Sequence, residues 1–221
     1  LFNIDALAEH GPVYALDLPG HGQSVKSVDP ADPTIFTKTL LDFMDHCQIT
    51  RAHLVGHSMG GLVAGSTALD HPGRVVSLAL ICSAGLGDDI NADYIDGFVN
   101  ATGRKDLNPV LTHLFYNQSL VSRAMVQDLL KYKRLDGVQD FLTQLSATAF
   151  KDGAQTSIIA DALGSLDIPI TVIWGENDNI IPASHAKNLP GVTPHVIGSA
   201  GHMVQMEHAG EVNKILRGVI G

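Results

Sequence analysis

Cysteine is scarce in this chain. Of 221 residues only Cys47 and Cys82 carry thiols, at no spacing that reads as a disulfide framework, so both are expected to be reduced residues of a core in a cytoplasmic setting. Basic side chains are outnumbered, 14 against 23 acidic ones, and the net charge of −9 argues against nonspecific binding to nucleic acid or to an anionic membrane. No apolar run approaches the ~18–20 residues of a membrane span, and no secretory leader pattern is visible. Eleven histidines invite a metal hypothesis, yet there is no H-E-x-x-H and no C-x-x-C. His10, His46, His53, His71, His113, His185, His195 and His208 read as scattered surface or core-capping side chains, and no metal is expected. Repeats and low-complexity tracts are missing as well. The remainder, 45% hydrophobic and 17% charged, suffices for the buried core of one globular domain.

Along the chain, β and α patterns alternate. Residues 3–10 look helical and 13–17 form a short apolar strand. Residues 33–47 place Ile35, Phe36, Leu40, Phe43 and Met44 near helical spacing. A strand over 53–56, a helix over 59–70 and a strand over 75–82 follow, the last apolar enough to be buried on both faces, as in a parallel sheet. From about 85 to 164 the sequence turns helical with no convincing strand. Strands over 170–174 and 195–197, with helices near 183–188 and 207–219, then resume the alternation. The chain is therefore expected to be α/β, a mainly parallel sheet with helices on both faces. Its core comprises residues 1–84 and 165–221, and a helical cap, or lid, over 85–164 is inserted in it.

The most specific signal is Gly56-His57-Ser58-Met59-Gly60. It follows an apolar strand and opens a helix of small residues. A G-x-S-x-G in that setting is a nucleophile elbow: the turn is tight enough to require glycines beside it, and it exposes the serine hydroxyl above the sheet edge. The helix start supplies free N–H groups and partial positive charge, suited to a developing oxyanion. The bland alternative is a glycine-rich turn whose serine merely caps the helix.

The partners of such a serine come in the expected order. Ile170-Thr171-Val172-Ile173-Trp174 ends in Gly175-Glu176-Asn177-Asp178, which puts Asp178 in a loop at a strand's carboxyl end. His195-Val196-Ile197 leads through Gly198-Ser199-Ala200-Gly201 to His202 in the next such loop. In a parallel sheet these loops share one edge. Ser58 needs a base to take its proton, His202 can take and return it, and a buried carboxylate fixes the imidazole tautomer. Taken singly, Asp178 is an ordinary turn residue and His202 an ordinary loop histidine. Together behind the elbow they are the candidate acid and base.

Asp17-Leu18-Pro19-Gly20-His21-Gly22-Gln23-Ser24, the elbow, Trp174-Gly175-Glu176-Asn177-Asp178 with Ile181-Pro182, and Gly201-His202 with Glu207 together resemble an α/β-hydrolase over the whole chain. More narrowly, residues 91–98, 129–137 and 201–207 are similar to the hydrolase-fold domain of the dihydrolipoamide acetyltransferase subunit of the acetoin dehydrogenase complex. The wider resemblance implies a Ser58–His202–Asp178 triad and an oxyanion hole using the Met59 backbone N–H. Its second donor would lie in a His-Gly type loop upstream of Leu1. That loop and the strands before it are expected to be missing, so that 13–17 should not pair directly with 53–56, and the chain is expected to be part of a longer protein. The narrower resemblance implies acetyl transfer from dihydrolipoamide to coenzyme A, a lipoyl domain ahead of this one, and the other subunits of that complex as partners. No tightly bound cofactor is expected; coenzyme A and the lipoyl group would be substrates.

The lid holds Tyr94, Phe98, Phe115, Tyr116, Tyr132, Phe141 and Phe150, seven of the chain's eleven Phe and Tyr residues. They could line an apolar acyl pocket or simply pack lid helices together. Lys131, Lys133 and Arg134 form either a solvated helix face or a receiver for coenzyme A phosphates. Three function classes stay open: acyl transfer through Ser58 to a thiol or to water, a cofactor-free oxidative reaction, and a binding module without catalysis. Hydrolysis would act on an ester or a carbon–carbon bond of a small apolar substrate. Carbon–carbon hydrolases typically carry Trp after the catalytic histidine, and Met203 departs from that pattern.

Overall fold

The apolar run Val75–Ile81 becomes an interior strand of the sheet in the computed structural model, which describes residues 2–26, 28 and 34–220. Its side chains are buried on both faces apart from the half-buried Val76, as a strand covered above and below requires. In chain order the helices and strands are α1 (Ile4–Ala8), α2 (Thr34–His46), β1 (Ala52–His57), α3 (Met59–Asp70), β2 (Val75–Ile81), α4 (Ala92–Asn100), α5 (Arg104–Thr112), α6 (Arg123–Lys133), α7 (Val138–Ala149), β3 (Phe150–Lys151), β4 (Ala154–Gln155), α8 (Ala160–Leu163), β5 (Ile170–Gly175), β6 (His195–Ile197), α9 (Val204–Glu207) and α10 (Ala209–Ile220). The main sheet runs β1-β2-β5-β6 and all three of its ladders are parallel.

The register sets the position of everything that follows. His57, Ile81, Ile173 and His195 form one row across the four strands. The loops beyond this row share the carboxyl edge. Around β2 and β5 the core collects Leu78, Leu80, Val172, Ile173, Trp174, Ile181, Val212 and Leu216. α3 packs on β1 and β2, and α10 packs on β2.

The cap stretch is helical from α4 to α7. Leu107, Leu111, Val126 and Leu130 gather there in a small core of their own with Ala101. A second cluster, Phe36, Val63, Val138, Phe141 and Leu142, joins α7 to α2 and α3.

Four expectations need correction. Residues 13–17 form no ladder. An extended segment becomes a strand only beside a neighbour at about 4.8 Å that completes its hydrogen bonds; here Val13 and Tyr14 are exposed, and Tyr14 instead meets the Phe43 ring edge-on at 5.4 Å. As expected, 13–17 and β1 are not paired, and β1 is an edge strand of the described sheet. The 85–164 stretch does contain strands: β3 and β4 make a short antiparallel hairpin whose turn, Asp152-Gly153, has positive φ at both residues, the geometry of tight hairpins. The helix near 183–188 is a 3₁₀ segment, Ala183–Lys187. The C-terminal helix is two, α9 and α10, broken at His208. Pro33, where the helix over 33–47 was expected to begin, lies outside the described residues.

Candidate active site

Ser58 directly follows β1 with φ 54° and ψ −121°, a backbone state that costs a non-glycine residue ~1–3 kcal/mol and persists only when its surroundings dictate it. Here they do. The Ser58 N–H donates to the Ile81 carbonyl at 3.0 Å, and its own carbonyl accepts from Gly61 at 2.9 Å and from Ala84 at 3.0 Å. Gly56 makes the turn possible, since a Cβ there would lie 2.2 Å from the Gly60 carbonyl oxygen. The hydroxyl caps nothing, as α3 has no side-chain cap. It makes no hydrogen bond to any described residue, His202 among them. Met59 opens α3, and its N–H is one of the donors that a helix start leaves without an intrahelical partner.

Asp178 lies in the loop after β5. Its side chain is fully buried, which would be costly for an unpaired carboxylate. Three N–H groups hold it: Ile180 and Ile181 donate to Oδ1 at 2.8 and 3.0 Å, and His202 Nδ1 donates to Oδ2 at 2.8 Å. The two loops touch backbone to backbone. A Cβ on Gly175 would sit 2.1 Å from the Gly201 carbonyl oxygen, and Asn177 N–H donates to the Ala200 carbonyl at 2.8 Å. Because a carboxylate only accepts, His202 carries its proton on Nδ1, which leaves Nε2 as a base.

In the sequence His57 is only part of the elbow; the structure gives it a specific position. Its Nε2 donates to the His202 carbonyl at 2.8 Å. Burial, followed by the nearby His202, pushes its pKa down to about 3, so the ring stays neutral. The sole sequence signal for it was its place beside the serine. Cys82, one residue past β2, is completely buried at φ 42°. Burial first, and the Asp178 carboxylate second, push its thiol pKa up.

Among the described residues, side chains of metal-binding type converge twice: Cys82 with Asp178 and His202, and Asp88 with Asp89 and His185. In the first group the thiol is kept protonated and the other two bond each other, an arrangement for holding protons; a metal needs the thiolate.

The lid residues divide. Phe115 and Phe141 are core side chains. Tyr94 stacks on Phe98 with centroids 6.1 Å apart, and Tyr132 Oη donates to the Gly20 carbonyl at 2.7 Å. A cavity of about 210 Å³ within the 85–164 stretch is lined by Ile90, Ile95, Ser146 and Phe150 among others, and another of about 440 Å³ lies between β5, β6 and α10. Neither is lined by Ser58, Asp178 or His202. Of the basic cluster, Lys133 is turned inward. Its Nζ donates to the carbonyls of Phe98 and, at 3.0 Å, Val99, and lies 5.0 Å from the Phe98 ring centre. Desolvation pushes its pKa down. Lys131 pairs with Asp128 at the surface.

Comparison with known proteins gives a consistent picture. A family model described as alpha/beta hydrolase fold matches residues 3–209. The chain is 46% identical, over its whole length, to the dihydrolipoyllysine-residue acetyltransferase component of the acetoin cleaving system of Cupriavidus necator, and 49% identical over 97% of its length to the protein of the same name from Pseudomonas putida. It spans 59% and 57% of those relatives. It is also 30% identical, over 99% of its length and 80% of the relative's, to a 2-hydroxy-6-oxononadienedioate/2-hydroxy-6-oxononatrienedioate hydrolase of Paraburkholderia phymatum. A meta-cleavage product hydrolase from Pseudomonas fluorescens IP01 has the same fold, with a TM-score of 0.86 at 22% identity over 97% of this chain and 81% of its own.

Proposed function

We propose, from the premise that this chain belongs to the α/β-hydrolase family, that Ser58 is the nucleophile of an acyl-enzyme, His202 its base and Asp178 the carboxylate that orients the base. The observation that carries this reading is the 2.8 Å bond from His202 Nδ1 to the fully buried Asp178, in loops beyond the row of residues in which β1 ends and Ser58 follows. Ser58 Oγ attacks the acyl carbon while its proton passes to His202 Nε2. The Met59 N–H stabilises the oxyanion, with a second donor supplied from upstream of Leu1. His202 then returns the proton to the leaving thiolate as the carbon–sulfur bond breaks, and the acyl group stays on Ser58.

In the longer protein the acyl group is acetyl, the donor a dihydrolipoyl thioester and the acceptor coenzyme A. Its thiol loses a proton to His202 and attacks the Ser58 ester, and His202 returns that proton to Ser58 Oγ as the carbon–oxygen bond breaks and acetyl-CoA leaves. The two relatives at 46% and 49% identity support this assignment by name, as they support other subunits of an acetoin-cleaving system as partners; a cytoplasmic setting is proposed from the two unpaired cysteines. Among the described residues no helix is long and apolar enough to cross a membrane. Coenzyme A phosphates would have to be received without Lys133, whose Nζ is occupied.

A second reading, hydrolysis with water as acceptor, is favoured by the hydrolase that aligns with 99% of the chain. Acetyl-dihydrolipoamide and p-nitrophenyl acetate, each offered with and without coenzyme A, separate the two. Transfer predicts acetyl-CoA formation far above the rate of acetate release, and acetate release indifferent to coenzyme A would overturn it.

A further inference from the structure

We propose that Glu207 is a positioning residue that ties the lid to the base. The carboxylate at the end of α9 accepts three backbone N–H groups from two separate segments. Oε2 receives Gly201 at 2.7 Å and Tyr116 at 3.3 Å, and Oε1 receives Asn117 at 2.8 Å. Gly201 immediately precedes His202, whereas Tyr116 and Asn117 belong to the lid, in the connection between α5 and α6.

The peptide on the other side of His202 is held by the same lid segment: Met203 N–H donates to the Leu114 carbonyl at 3.0 Å. The contact is close along its length. A Cβ added to Gly201 would lie 2.7 Å from the Tyr116 nitrogen and 2.9 Å from the Leu114 oxygen. The backbone that carries His202 is therefore bracketed by lid residues 114–117, and Glu207 closes the bracket. A carboxylate suits this role because it accepts on both oxygens and donates from neither, and its charge strengthens each bond. A glutamine in its place could accept only on one oxygen and would turn N–H groups against N–H groups.

The proposal rests on His202 being the base of the reading above. It says that the lid's placement and the base's placement are one variable: a substrate that seats the lid also seats His202, and a displaced lid takes the imidazole off line.

The test uses the longer protein, with active sites counted by a fluorophosphonate. Glu207→Gln is expected to lower kcat per titrated site on the order of ten- to hundredfold, the scale of an ångström's misplacement, and to raise KM for the acyl substrate at the same time. Amide hydrogen exchange at 116, 117 and 201 should lose protection together. Glu207→Asp, which keeps the charge with a shorter reach, gives the same readouts if the glutamine variant does not fold. Deprotection of Gly201 with 116 and 117 unchanged, or kcat and KM per titrated site equal to the parent's, overturns the coupling. Exchange measured in Ser58→Ala keeps the two readings apart, because that substitution leaves the Glu207 bonds in place whatever the chemistry proves to be.

Discussion

His57 and His202 lie ring against ring, their centroids 4.7 Å apart and their planes at 54°, and the first donates to the backbone carbonyl of the second. The residue beside the candidate nucleophile thus holds the backbone of the candidate base. A charged His57 would face the imidazolium that His202 would become in the proposed acyl transfer. Its depressed pKa keeps this repulsion away at neutral pH.

The same depression makes stability depend on pH. In the unfolded chain His57 takes up a proton below about 6.5, its ordinary value, whereas in the folded protein it resists protonation until about pH 3. The unfolded state therefore binds more protons between these limits. The His57 contribution is fully present above pH 6.5 and is lost as pH falls, at up to ~1.4 kcal/mol per pH unit. Urea unfolding of the parent and of His57→Gln, measured at intervals from pH 7 to pH 4, should show the flatter dependence in the variant. Parallel curves would refute the assignment.

Substitution within the site should act on one step. Ser58→Ala abolishes fluorophosphonate labelling and lowers acyl turnover on the order of a thousandfold or more, and His202→Ala does the same, since such residues act as a unit. Asp178→Asn turns the acceptor at Oδ2 into a donor in one amide orientation, or forces the other imidazole tautomer, with a loss of comparable order. Ser58→Ala protein that turned over acyl substrates at the parental rate would end the acyl-enzyme reading.

Lys133 separates a structural lysine from a phosphate receiver. Lys133→Met leaves the Phe98 carbonyl without this donor at the end of α4, while Val99 keeps Gln139 Nε2 at 2.9 Å. The expected cost is about 1–3 kcal/mol of stability, read by denaturant unfolding, with KM for coenzyme A unchanged. A KM raised tenfold at unchanged stability would return Lys133 to the binding surface.

Gly175→Ala should be among the most damaging small changes in the chain. Its Cβ would meet backbone atoms of Gly201 and Ala200 at 2.1–2.6 Å, and backbone cannot rotate away as a side chain can. The loops carrying Asp178 and His202 would be pushed apart. Soluble expression at the parental level with unaltered labelling of Ser58 would contradict this.

What the sequence made legible was local or strongly patterned. The elbow announced itself through two glycines around a serine between a strand and a helix. Asp178 and His202 were readable because each follows an apolar β run by a short loop, and a parallel sheet brings such loops to one edge. The failures have one physical cause, dependence on a distant neighbour. Residues 13–17 have strand composition, but a strand is a relation between two segments. Lys133 reads as surface charge until the carbonyls at the end of α4 come into view. Glu207 was visible as part of a family pattern, but two of its three partners are backbone N–H groups some ninety residues away, and backbone donors leave no trace in the choice of side chains. The hairpin of β3 and β4 was missed because two-residue strands carry no periodicity to detect.

The row His57, Ile81, Ile173 and His195 also says where this architecture tolerates change. β2 and β5 pair through that row whatever length of chain separates them, so the strand ends that Ser58 and Asp178 follow keep their places when the intervening cap is lengthened, shortened or exchanged. A single residue inserted within β1, β2 or β5 would instead shift the strand's end by ~3.3 Å and turn its buried side chains outward. A graft is constrained where the cap meets the core: besides packing on α2 and α3 as α7 does, the incoming cap must still present two consecutive peptide N–H groups to Glu207 and a carbonyl to Met203. New substrate ranges can be built on this framework as long as that three-point docking is copied along with the cap.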